Sequence, residues 1–131
     1  MSAPAAKEGD RIVGVDIHII NIPSPGGPVP TPLPHPFAGV LDGELSSDVN
    51  IEGKAAATEG STATNTPGHI PQGGPFQSPP SDEAKILMGS SSVFINGKAA
   101  ARAGDTAETC NDPSNLPAGT VVAVGTVFIG G

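Results

Sequence analysis

Val93 to Asp105 reads V-F-I-N-G-K-A-A-A-R-A-G-D, and forty-four residues earlier Val49 to Ser61 reads V-N-I-E-G-K-A-A-A-T-E-G-S. Over the wider pair, residues 47–63 against 91–107, eleven of seventeen positions are identical, far more than shared composition produces. The chain therefore contains an internal repeat. A third copy is split between the ends. V-F-I-G-G at 127–131 matches its opening half, and P-A-A-K-E-G-D at 4–10 matches its closing half. If the copies are equivalent, the two ends lie side by side and three units close into one pseudo-threefold body.

Each unit has a physical reading. V-x-I-x-G alternates with period two, as a half-buried strand does, and Glu52-Gly53, Asn96-Gly97 and Gly130-Gly131 suit tight turns with positive φ. A second short apolar segment ending in glycine precedes each strand, at 40–43, 86–89 and 122–125. The expected fold is all-β, a set of short strands and hairpins in units of about 11–61, 62–105 and 106–131, the last closed by 1–10. A helical turn at Lys54 to Ala57 or Lys98 to Ala101 has little room between its flanking glycines.

The 131 residues set the scale of one domain. With 18 glycines, 15 prolines, four Phe and no Tyr or Trp, large hydrophobic anchors are scarce, so a staple such as a metal or a partner surface is expected. One cysteine excludes an intrachain disulfide and fits a reducing compartment. Lys7, Glu8, Asp10 and Arg11 stand where the apolar core of a signal peptide would lie, so manufacture in the cytoplasm without a cleaved leader is expected. A net charge of −7 argues against a nucleic-acid partner.

Residues 11–22 read as a strand, with His18 on the face opposite Ile17 and Ile19. Seven prolines in the fourteen positions 23–36 exclude a helix or an interior strand and predict an extended, polyproline-like loop. Pro36-Phe37 and Pro75-Phe76 read as matching anchors that hold this loop and a second one, 66–80, on the body. Ser81 could cap a short helix through Lys85. The third loop, 110–119, is the shortest.

The repeat register aligns the histidines with the cysteine. His18 lies eight residues after Asp10, His69 eight after the equivalent Ser61, and Cys110 five after the equivalent Asp105. An isolated histidine is usually a surface residue and an isolated cysteine a small buried hydrophobe; the shared register is what singles these three out. His35 is the remaining candidate for a fourth ligand. His18, His35, His69 and Cys110 would make a closed tetrahedral set for one structural Zn2+, with no place for a catalytic water. No H-E-x-x-H or G-x-S-x-G is present, and the glycine-lysine pairs lack the spacing of a phosphate loop, so no catalytic residues are assigned and the chain is not expected to be an enzyme.

Pro4-Ala5-Ala6-Lys7, Ala55-Ala56-Ala57-Thr58 and Ala99-Ala100-Ala101-Arg102, each followed by Gly and then Asp or Ser, make the chain resemble the PAAR family along nearly its whole length. Proline survives only in the first copy and arginine only in the last. The resemblance implies a small cone with zinc near its apex, held by three His and one Cys, in the roles His18, His35, His69 and Cys110 match. It implies a tip that caps a trimeric, VgrG-like β-helical spike of a contractile injection machine (type VI secretion, extracellular contractile injection systems or phage-like tails), one tip per trimer. Such a tip is made in the cytoplasm, assembled on the apparatus and expelled through a target membrane. Strand and turn residues Val93, Ile95, Val127 and Ile129 are the expected spike-facing set. The chain reads as a bare tip with no effector extension, any effector being a separate protein. Two other readings stay open: a zinc hydrolase in which water replaces His35, and a free-standing module whose proline-rich loops bind a partner.

Overall fold

In the computed structural model, which describes residues 2–131, twelve strands follow in order and no helix interrupts them among these residues. They are β1 (Ser2–Pro4), β2 (Arg11–Ile22), β3 (Val29–Gly43), β4 (Asn50–Ile51), β5 (Lys54–Ala55), β6 (Thr62–Asn65), β7 (Glu83–Ile86), β8 (Phe94–Ile95), β9 (Lys98–Ala99), β10 (Thr106–Thr109), β11 (Leu116–Val122) and β12 (Phe128–Gly130). Six of them, in the order β10-β11-β2-β3-β6-β7, close into an antiparallel barrel. The other six form three two-stranded hairpins, β4 with β5, β8 with β9, and β1 with β12, one from each copy of the repeat.

The first two hairpins turn through consecutive residues of positive φ, Glu52 and Gly53 (+53° and +81°), and Asn96 and Gly97 (+54° and +79°). That pair of conformations gives the turn the twist of its flanking strands. The third hairpin has no turn, because the two ends of the chain make it, Ser2 opposite Gly130 and Pro4 opposite Phe128.

Three backbone bonds join the units in a ring. Ala6 N–H donates to the Ala101 carbonyl (3.0 Å), Ala101 N–H to Ala57 (3.1 Å), and Ala57 N–H to Ala6 (3.0 Å). Such a cycle requires threefold-related segments, each just beyond a hairpin strand, close to a common axis. Only a methyl side chain fits there, and all three alanines are fully buried.

The same economy explains why Ser61 matches Asp10 and Asp105. Each accepts the backbone N–H three residues before it: Lys7 to Asp10 Oδ2 (3.0 Å), Thr58 to Ser61 Oγ (2.9 Å), Arg102 to Asp105 Oδ2 (2.7 Å). Either oxygen serves as acceptor. Lys7 also reaches the Asp10 carboxylate (3.2 Å) and the Val124 carbonyl, and Arg102 reaches Asp105 (3.0 Å) and the Gly130 carbonyl (3.2 Å). Lysine in the first copy thus does what arginine does in the third.

The barrel core contains Ile12, Phe37, Leu41, Ile86 and Val121 among many alanines. Each of the larger side chains contributes about 1.5–3 kcal/mol by burial. With so few of them, the core is thin.

The proline-rich stretch corrects the expectation of a loop. Only residues 23–28 turn back; Val29 onward is strand, paired with β2 from Ile22↔Val29 to Arg11↔Val40. Pro30, Pro32, Pro34 and Pro36 fall on alternate positions, and β6 begins to pair with β3 only at Gly39. An antiparallel neighbour takes hydrogen bonds from every second residue, so Thr31, Leu33 and His35 make the ladder while the prolines lie on the open edge. No helix starts at Ser81, where the chain enters β7 instead. The two Pro-Phe pairs are not equivalent: Phe37 is in the core, and half-buried Phe76 bridges to Ile20 and covers the histidines.

A second apolar cluster lies within the hairpins: Ala5, Ala56 and Ala100 with Ile51, Ile95 and Ile129, and Val93 packed against it. Two of the four residues expected to face a spike, Ile95 and Ile129, are therefore turned inward, and Val93 is half-covered. Val127 is 40 % exposed, and the outward neighbours are Phe94 and Phe128, at 61 % and 58 %. Period-two alternation separated the two phases without saying which is covered; the burial of the isoleucine phase comes from a cluster of three units that no single strand reveals.

Candidate metal centre

Along β2 alternate side chains share a face, and Ile12, Asp16, His18 and Ile20 are all buried. Ile12 belongs to the core, and six residues further, about 20 Å along the strand, His18 enters a polar cluster. β3 places His35 opposite Asp16. His69 comes from the loop after β6, and Cys110 follows directly on β10.

The three imidazoles face one another, with ring centres 4.9 Å apart for His18 and His69, 5.5 Å for His18 and His35, and 5.4 Å for His35 and His69. One ligand atom each from Asp16, His18, His69 and Cys110 lies within 4.8 Å of every other. His18, His69 and Cys110, matched by register in the sequence, are thus together. His35 stands against the other rings, its Nδ1 2.9 Å from the Leu33 carbonyl. Asp16 was not singled out from sequence; its position two residues before His18 on a strand, hence on the same face, was the available signal.

Asp16 is fully buried and accepts three donors: His69 Nε2 (2.8 Å), the Thr109 hydroxyl, and the Cys110 thiol (3.4 Å). The Asn65 amide supports His69 from behind, Nδ2 donating to Nδ1 (3.3 Å) and Oδ1 accepting the Ala38 N–H (3.0 Å). Asp82 accepts the His69 backbone N–H (2.9 Å) and a second bond from Asn65 (3.3 Å).

His18 is different. Both its ring nitrogens are buried, and among the described residues neither has a hydrogen-bond partner. The Asp112 carboxylate is 3.5 Å from Nδ1. Leaving a buried polar ring unsatisfied costs about 1–3 kcal/mol, and a cation bound at the ring removes that cost. With two imidazoles, a thiol and a carboxylate converging, the residues present fit a borderline divalent metal such as zinc.

Burial, reinforced by the Asp16 carboxylate, pushes the Cys110 thiol up to about 12. Burial also holds His18 below its ordinary 6.5, outweighing the Asp112 carboxylate. The folded chain therefore resists a proton that the unfolded chain takes up below about 6.5, so unfolding is favoured as pH falls. We expect the urea midpoint of the metal-free protein to drop between pH 7 and pH 5; a flat or rising midpoint would contradict the burial of a neutral His18.

A family model of the PAAR motif matches residues 20–113 and 65–131. The chain belongs to the PAAR family. Curated proteins offer no match to it. PAAR proteins form a structural family of spike tips, which supports a tip role in a contractile system and association with a spike complex in general terms. The all-β body with its buried metal-competent cluster agrees with the PAAR cone.

Proposed function

We propose that this PAAR protein caps the trimeric, VgrG-like spike of a contractile injection machine, one tip per trimer, and sharpens it for membrane puncture and effector delivery. The observation that carries this reading is the ring of Ala6, Ala57 and Ala101, because it gives one chain three near-equivalent hairpins. A threefold partner meets similar surfaces at each of its subunits. The exposed apolar side chains of those hairpins, Phe94, Phe128 and Val127 with Val49, supply the contact.

One Zn2+ at the cluster would be held by His18, His69, Cys110 and a fourth donor from the same group, and when bound it cross-links segments that a thin core holds weakly. The chain's own part is mechanical. β2 and β3 run as one long hairpin from the threefold ring past the cluster, so load applied at its end passes along paired strands to the base. Synthesis in the cytoplasm and expulsion with the spike follow from this role.

The test is mixing with a trimeric spike protein and measuring mass by light scattering. One chain per three spike chains is expected, and the double variant Phe94→Asp, Phe128→Asp should abolish the complex while its melting temperature stays within a few degrees. Absence of a complex with the unmodified chain would overturn the reading.

A further inference from the structure

β2 pairs with β11 only as far as Gly14, and β3 with β6 only from Gly39 on, yet β2 and β3 stay paired with each other out to Ile22↔Val29. The extension is a two-stranded ribbon with an outer edge on each strand. An unpaired edge offers its N–H and C=O groups to any other strand, and proteins commonly blunt such edges with charge. Residues 17–41 contain no Asp, Glu, Lys or Arg, so charge is not the device here. The edge of β2 is closed by bonds. Ile17 N–H donates to Asn111 Oδ1 (2.6 Å), Ile19 N–H to Asp112 Oδ2 (2.8 Å), and Asn21 N–H to the Pro75 carbonyl (2.9 Å). The Ile17 and Ile19 carbonyls accept the N–H groups of Asp112 (2.8 Å) and Gln77 (2.9 Å). Opposite these three residues stand Pro34, Pro32 and Pro30. Partners in such a pair both point away from their shared ladder, so this phase of β3 points out at the other edge. With Pro36 it presents four carbonyls and no N–H. The next residue in phase, Ala38, has an N–H, and Asn65 Oδ1 accepts it (3.0 Å). Every outward N–H of residues 17–21 and 30–38 is thus either bonded or absent.

We propose that the alternate prolines of β3 close this edge to a second copy of the chain. Two copies meeting edge to edge, antiparallel about a twofold axis at Leu33, would set Pro32 opposite Pro34 and Pro30 opposite Pro36. Both donors of every hydrogen-bonded pair would then have to come from prolines. The pairing makes no ladder bond and leaves carbonyl facing carbonyl without water. A foreign strand loses only half its bonds, because its own N–H groups still reach the proline carbonyls. The device is therefore strongest against self-association. Alternation is essential to it, since prolines at consecutive positions would also break the ladder to β2. Thr31, Leu33 and His35 keep that ladder, and the inward phase stays free to carry His35 to the buried cluster. The edge thus stays unpaired without a single charge, and the chain remains a monomer for its role.

The experiment combines Pro32→Val with Pro34→Val in the full chain and follows mass by sedimentation and light scattering as concentration rises. The unmodified chain should stay a monomer. The double variant regains four N–H donors across the twofold and should self-associate at least about 100-fold more tightly. Hydrogen exchange at the new amides of positions 32 and 34 should slow as the dimer forms. Pro25→Val with Pro71→Val removes two prolines that lie outside β3 and should leave the chain monomeric. Pro32→Lys with Pro34→Lys regains the same donors but sets like charges opposite one another, and should also stay monomeric. A valine variant of positions 32 and 34 that remains a monomer, or whose new amides exchange at one rate at every concentration, would overturn the proposal. Equal association of the variant at positions 25 and 71 would overturn it too. If circular dichroism shows the first variant unfolded, Pro30→Val with Pro36→Val regains four donors in the same register and carries the same expectation.

Discussion

Removing the metal, by a chelator or by Cys110→Ser, should lower the melting temperature by roughly 10–20 °C. The magnitude follows from linkage: free Zn2+ at about 1,000 times its Kd stabilises the folded chain by about 4 kcal/mol. For a chain of this length each kcal/mol moves the midpoint by roughly 3–5 °C. The barrel core contains few large side chains and many alanines, so little else makes up the loss. The empty site also leaves both His18 nitrogens buried and unpaired. Calorimetry with and without chelator, followed by Zn2+ add-back, measures the effect. A melt that ignores the chelator would show that the site carries no stability.

The second large effect is expected at the threefold ring. Ala101→Leu inserts three carbons at a fully buried position where the three alanine segments are hydrogen-bonded to one another. Overpacking costs about 1–3 kcal/mol, and each strained ring bond adds about 1 kcal/mol. We expect a loss of at least ~3 kcal/mol in urea unfolding. Lys54→Leu, at an exposed position of the β4–β5 hairpin, should stay within about 0.5 kcal/mol and serves as the control. Equal effects at the two positions would mean that the ring is loosely packed.

Much of this fold was legible because the repeat is written three times. Identity between residues 49–61 and 93–105 exposed the hairpins, and the split third copy located the two ends beside each other. Register also brought His18, His69 and Cys110 to one place before any geometry was known. Three things were not legible. The proline run resembled a loop because composition does not reveal that prolines on alternate positions leave one edge of a strand free to pair. The inward turn of Ile95 and Ile129 needed the third dimension, since the cluster that contains them is drawn from all three units. Asp16 looked like any strand carboxylate; its role depends on Thr109 and Cys110, more than ninety residues away.

The pairing of β1 with β12 has a topological consequence. Where the first and last strands of a chain are hydrogen-bonded neighbours, the covalent opening is arbitrary with respect to the folded form. A short linker joining the present ends, with new ends cut at Glu52-Gly53 or Asn96-Gly97, gives circular permutants that should reach the same structure. The three hairpins would exchange the role of seam, and a fused cargo could leave the body from any of three azimuths around its axis.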